Sequence, residues 1–215
     1  LGAGGGTLAI ASGRTLSYDG IVAGDGNLTV GSSGNTGTLT LSGTNTYVRT
    51  TTVVSGGTLV LSSGGSIASS SGVSNAGTFD ISNVTTGVSV SDLYGNGSVV
   101  LGSKALTVTA ASAANTLSGP IGGDASSSVT LSAGSWTLSG TNTYAGKTTV
   151  NGGTLSINSD GSLGAVPGSA TAGSVTLNGG QLLATSSFAL DSKRGISLGA
   201  GGGTLAIASG RTLSY

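Results

Sequence analysis

Residues 1–18 read LGAGGGTLAIASGRTLSY, and residues 198–215 read the same, 197 positions later. An identity of that length marks a tandem array, here one full period and the start of the next. A second level of repetition lies inside the period. Residues 40–47 and 137–144 are both TLSGTNTY, 97 positions apart, and each is followed by Thr-Thr-Val and then by GGTL at 56–59 and 152–155, 96 positions apart. The odd residue must fall in a turn, because a one-residue shift inside a strand would send every later side chain to the opposite face. Residues 1–215 are therefore expected to form one continuous segment. Within it, 1–197 is one large repeat of two related halves of about 97–100 residues, and 198–215 opens the next copy.

The third level is a beat. A Gly-Thr/Ser-apolar triplet starts at Gly37, Gly57, Gly77 and Gly97, and again at Gly134, Gly153 and Gly173, at spacings of 19–20 residues. Gly6 and Gly26 keep the same interval, and the beat is interrupted near Gly31 and between Gly97 and Gly134. Each triplet opens an alternating run, such as Thr58-Leu59-Val60-Leu61, Thr78-Phe79-Asp80-Ile81 or Thr154-Leu155-Ser156-Ile157. Alternation at every second residue is the strand period with one face buried. Leu41, Leu59, Leu61, Phe79, Ile81, Leu138, Leu155 and Ile157 are the inward positions this pattern selects.

Sandwiches and antiparallel barrels give no reason for a constant beat, whereas a solenoid needs the same residue type at the same corner of every coil. The expected fold is all-β: a parallel β-solenoid, or β-helix, of about 20 residues per coil and roughly ten coils per 197-residue period. The crossover rule makes it right-handed. Gly and Asn at the beats are expected to supply positive φ at the corners, and stacked Thr, Ser and Asn to bond from coil to coil.

Composition limits the chemistry. The chain has no Cys, His, Met or Glu, seven Asp, seven Lys or Arg, zero net charge and 42 Gly. Charged residues are 7% of the total, against roughly 25% in an ordinary soluble domain, so no basic patch is available to hold nucleic acid. Mean hydropathy of +0.31 sets the chain apart from a Gly/Ser linker. No apolar run approaches a membrane helix and no signal sequence is visible, so this reads as an interior piece of a longer chain. Absence of Cys fits export through an oxidising periplasm without disulfide stapling.

The blocks around TLSGTNTY resemble the passenger-associated repeats of bacterial autotransporters, which read roughly GTLTLSGxNTYxGxTTVxxGTLxLxxxGSL. Residues 37–67 are GTLTLSGTNTYVRTTTVVSGGTLVLSSGGSI and residues 135–164 are SWTLSGTNTYAGKTTVNGGTLSINSDGSLG. Val48-Arg49 stands where the family has Thr-Gly. The resemblance implies a right-handed solenoid passenger on the bacterial cell surface, exported through an outer-membrane translocator barrel that these residues do not include.

Candidate sites are structural. Gly43, Asn45 and Tyr47, with Gly140, Asn142 and Tyr144, are expected to form corners, each Tyr covering the coil edge with a wet hydroxyl. Trp136, in the place of Leu39, is expected in the core or packed at an end. No catalytic, cofactor or metal site is expected. Asp19, Asp25, Asp80, Asp92, Asp124, Asp160 and Asp191 are never one 20-residue coil apart, as a carboxylate pair would require, and read as solvated turn residues. Gly146-Lys147-Thr148 lacks the opening glycine of a phosphate loop, since Thr141 stands there. Ser103-Lys104 and Gly24-Asp25-Gly26-Asn27 are too isolated to be a catalytic dyad or a calcium repeat. Thr50-Thr51-Thr52 and Thr148-Thr149 are too sparse for an ice-binding plane. The sequence therefore points to a non-catalytic extracellular stalk or filament with adhesive character. Its partners would be further copies of the same repeat, in the same chain or in end-to-end or lateral association, with host or surface glycans as a second class. A polysaccharide-binding or polysaccharide-degrading β-helix is the alternative.

Overall fold

The computed structural model describes residues 1–113 and 115–215. Its strands lie in parallel sheets, and the chain visits three faces in constant order. Residues Val73–Asn75, Thr78–Val84 and Gly87–Val90 occupy the first, second and third faces of one coil, and Leu93–Tyr94 returns to the first. Among the described residues the only helix is the single 3-10 turn Asp160–Leu163.

The first face runs the length of the molecule. Gly6–Leu8, Leu28–Val30, Thr51–Val53, Val73–Asn75 and Leu93–Tyr94 form its first sheet. A bridge between Gly95 and Leu117 carries it into Thr116–Leu117, Ser135–Leu138, Thr154–Ile157, Gln181–Ala184 and Thr204–Ile207. Ten strands make nine steps, so the solenoid has nine turns of about 22 residues. The 20-residue beat led to a slightly short coil and to ten coils per period. Coils are in fact uneven, because loops absorb extra residues while the strands keep their length. Gly31–Asn35 is one such insertion, closed by reciprocal backbone bonds of 3.0 Å between Ser32 and Asn35.

The second face begins with Ile10–Tyr18, Thr36–Leu41, Thr58–Ser63, Thr78–Val84, Ser98–Val100 and Ile121–Gly122. After two coils without strands here, it ends in Phe188–Ala189 and Leu213–Ser214. The third face carries Gly87–Val90, Ala105–Val108, Ser128–Leu131, Lys147–Val150, Thr171–Leu177 and Arg194–Leu198.

The interruption of the beat after Gly97 is a change of face. Gly57, Gly77 and Gly97 precede second-face strands and Gly37 is the second residue of one, whereas Gly134 and Gly153 precede first-face strands. Gly173 lies inside the third-face strand Thr171–Leu177, so its 20-residue distance from Gly153 is accidental. The structural successor of Gly153 is Gly180, before Gln181. The reason for glycine differs too. Gly134 and Gly153 do have positive φ, but Gly77 and Gly97 do not. A Cβ on either of those two would collide with a backbone carbonyl of the coil before, that of Gly57 or Gly77.

Side chains stack in columns inside the prism. Leu39, Leu59, Phe79 and Val99 face one another across successive second-face strands, all essentially inaccessible. Leu41, Leu61, Ile81, Leu138, Leu155 and Ile157 are equally buried. Each such Leu, Ile, Val or Phe contributes about 1.5–3 kcal/mol relative to exposure. Every coil repeats that gain without needing a larger radius. Trp136 is fully buried in the first-face column, stacked against Leu155, and its indole N–H donates to the Leu93 carbonyl at 2.7 Å.

Candidate functional site

The two TLSGTNTY copies build one device twice. In the first, the strand Thr36–Leu41 lies on the second face, the TNTY corner on the third, Thr51–Val53 on the first and Thr58–Ser63 back on the second. In the other, Ser135–Leu138 lies on the first face, the corner on the second, Lys147–Val150 on the third and Thr154–Ile157 on the first. The 97 residues between them thus cover four coils and two further faces. The second copy is the same local structure turned by one face around the rod.

Its hydrogen bonds survive that rotation. The Asn45 carboxamide accepts from the Val22 N–H of the preceding coil at 2.9 Å. It donates to the Ser66 carbonyl of the following coil at 3.0 Å and to Gly43 at 2.9 Å. Asn142 accepts from Ile121 N–H at 2.8 Å and donates to the Ser162 carbonyl at 2.6 Å. Each Asn therefore ties three coils together, at corners where the backbone lacks a regular ladder. These buried amides satisfy groups that would otherwise be orphaned. Gly43 and Gly140 lie where a Cβ would strike the carbonyl oxygens of Gly20 and Gly119 in the coil before.

Tyr47 and Tyr144 are fully buried, contrary to the expectation of wet hydroxyls. Tyr47 shares a hydrogen bond of 2.6 Å with the Thr51 hydroxyl, and Tyr144 one of 2.7 Å with Thr148. Both threonines are themselves buried, which removes Thr51 and Thr148 from any outer surface. Burial pushes both phenols up to about 12, with the threonine bond pulling the other way. Corner position suggested exposure for Tyr; the decisive signal was the Thr four residues on, in reach of the hydroxyl across the corner.

Residues 35–61 and 131–157 match the passenger-associated-transport-repeat family. These are autotransporter passenger repeats. The matched stretches enclose the strand, corner and strand just described, so each passenger repeat is a unit of coil-to-coil bonding. Over 218 aligned residues, 99% of this chain, the protein is 39% identical to the adhesin BmaC autotransporter of Brucella suis biovar 1 (strain 1330). The chain spans 6% of that relative's length. No solved structure matches it.

Asp19 and Asp25 are exposed, and the other five carboxylates split into two groups. Asp80, Asp124 and Asp191 each accept from a backbone N–H two residues on, at 2.8–2.9 Å; Asp124 and Asp191 do so beside turns, but Asp80 lies inside the strand Thr78–Val84, contrary to the expected turn position. Asp92 and Asp160 form the second group. Asp92 is buried and accepts from Leu93 N–H, Ser112 N–H and the Asn115 amide at 2.6–3.2 Å. Asp160 is paired with Arg194, a fully buried cation that sequence reasoning missed. The guanidinium also donates to the carbonyls of Leu163, Gly164 and Ala165. The 34 residues between the partners match no simple coil spacing, so the beat gave no hint of the pair. Among the described residues, no group of three or more His, Cys, Asp or Glu side chains converges as a metal site would require.

Proposed function

We propose that the chain is a length of surface-exposed rod from an autotransporter passenger, a non-catalytic spacer that presents adhesive faces away from the cell. The supporting observation is the division of the third-face strands into buried, mainly apolar columns and an outward hydroxyl column. On the third face the outward column is Ser89, Thr107, Thr130, Thr149, Thr176 and Ser197, one above another through six coils. The polar groups with the most restricted geometry, Arg194, Asp160, Asp92 and the two Asn corners, are committed to neighbouring coils. The family implies an outer-membrane translocator barrel as export partner, and the adhesin relative favours contact with surfaces, glycans among them.

The test is a fluorescent conjugate of the chain on a panel of purified polysaccharides, with reducing-end release measured in parallel, and electron microscopy of the same sample. Rods with retained polysaccharide and no new reducing ends support the adhesive spacer. Release of reducing ends, or lyase products absorbing in the ultraviolet, would establish the polysaccharide-degrading alternative. Rods that bind none of the panel would restrict the role to length.

A further inference from the structure

The two ends of the molecule present the same residues from opposite sides. Residues 1–18 stack on the coil that follows: Leu8 aligns with Val30, and Leu16 with Leu39. Residues 198–215, identical in sequence, stack on the coil that precedes: Leu205 aligns with Leu182, Leu213 with Phe188, and Leu198 with Leu177. Leu205 is the counterpart of Leu8, Leu213 of Leu16 and Leu198 of Leu1. One segment thus has a defined apolar partner on each side, seen once at each end.

The uncovered surfaces agree. Leu16, Tyr18 and Ile21 are exposed at one end and Leu198, Leu205, Ile207 and Tyr215 at the other; Val48 and Val166 are the remaining large apolar side chains so exposed among the described residues. The first end opens into an apolar hollow of roughly 500 Å³ lined by Leu1, Leu8, Leu16, Ile21, Val22 and Leu28. Apolar edges of this kind, with unpaired strand groups, are surfaces that stacking covers.

The face is also fixed. Leu8 and Leu205 both lie on the first face, nine coils apart, and Leu16 and Leu213 both on the second. The register is shifted: the column that starts at Leu8 and Val30 continues through Leu117, Leu138, Ile157 and Ala184 to Ile207, so the 197-residue period falls two residues short of nine coils in register. Each period returns to its starting face, although neither internal half does.

We propose that the hollow beside Leu16 is the seat of residues 171–197 of a preceding copy of the same repeat. Successive copies then join as one uninterrupted solenoid with no change of face. The columns across the junction are Leu182–Leu8–Val30 and Phe188–Leu16–Leu39, with Phe188 and Leu182 supplied by the preceding copy. A feature on any face recurs on that face every nine coils, about 43 Å along the rod at the usual strand spacing, shifted by two residues along the strand. The two passenger repeats within each copy point to neighbouring faces. The inference rests on the rod reading only for the solenoid itself; loss of adhesion would leave it intact.

The test uses a chain in which residues 1–197 precede the full 215 residues in frame. Cysteines replace Thr52, Thr58 or Thr149 at the equivalent position in both copies, one face at a time, and carry nitroxide labels. Equal interlabel distances near 43 Å on all three faces are expected. Unequal or broad distances would mean a kinked, rotated or flexible junction and would overturn the proposal. Failure of this longer chain to fold where the 215-residue chain folds would overturn it as well. A second readout is a disulfide between Ala189→Cys of the first copy and Ser17→Cys of the second. It is calibrated by Ala189→Cys with Ser214→Cys in the 215-residue chain, where the two residues are already aligned. Closure in the calibrating pair without closure across the junction would also overturn it.

Discussion

Arg194 grips Asp160 at two points, Nε to Oδ1 at 2.7 Å and Nη2 to Oδ2 at 3.1 Å, with the guanidinium 2% exposed. The remaining donors reach three successive carbonyls of the same coil, so the cation closes the end of the 3-10 turn at Asp160–Leu163. Arg194 lies four residues before Leu198, where the sequence of residues 1–18 recurs.

Removing one member of such a pair leaves the other charge stranded. Arg194→Met is expected to cost about 3–5 kcal/mol, and Arg194→Lys to recover little, because an ammonium cannot make the two-point contact. Denaturant unfolding followed by far-ultraviolet circular dichroism measures this. A midpoint equal to that of the parent would show that the clasp contributes nothing.

Tyr47 and Tyr144 predict alkaline instability. An acid whose folded-state pKa is raised from 10 to about 12 keeps its proton longer when folded. Its stabilisation is complete below pH 10 and is lost as pH rises from 10 through 12. Two such groups make melting temperature fall across that window, by up to about 2–3 kcal/mol of stability each. The double variant Tyr47→Phe, Tyr144→Phe starts about 1–2 kcal/mol lower for each lost bond at neutral pH. Its pH dependence between 10 and 12 is expected to be flatter. Parallel curves for the two proteins would remove the phenols from the explanation.

Leu59 and Thr58 are neighbours with opposite fates. Leu59 is enclosed between Leu39 and Phe79, while Thr58 lies between Thr38 and Thr78 on the outer side. Leu59→Asp is expected to cost several kcal/mol, from an unpaired charge in an apolar column. Thr58→Asp is expected to cost about 1 kcal/mol or less. Equal losses in thermal melts would contradict the inward and outward assignment.

Gly140 and Gly168 separate close approach from general glycine effects. A Cβ at Gly140 meets the Gly119 carbonyl, whereas one at Gly168 has open space. Gly140→Ala is expected to lower the melting temperature clearly and Gly168→Ala to leave it unchanged or slightly raised. Asn142→Ala is expected to cost about 2–4 kcal/mol, since it strands Ile121 N–H and the Ser162 carbonyl in adjacent coils.

Thermal unfolding with and without a chelator is expected to superimpose, because Asp160 is occupied by Arg194 and the buried Asp92 by backbone and amide donors. A drop in melting temperature on chelation would point to a cation the side-chain geometry does not suggest.

Much of this was legible along the chain. Alternation in runs such as Thr58-Leu59-Val60-Leu61 determined which side chains face inward, because strand side chains alternate regardless of what surrounds them. The constant beat determined that strands stack in parallel coils, and the repeated TLSGTNTY marked two equivalent corners. Only the tertiary structure decided which face each strand occupies, that Gly153 is followed by Gly180 rather than Gly173, and that Leu8 and Leu205, 197 positions apart, share a face nine coils apart. It alone brought Arg194 to Asp160 and put the Tyr47 and Tyr144 hydroxyls inside. The physical reason is the same throughout. Strand pattern is a property of neighbouring residues, but loops such as 158–170 can gain residues without disturbing it. Counting along the sequence therefore loses the angular position around the rod, and contacts between coils depend on that angle.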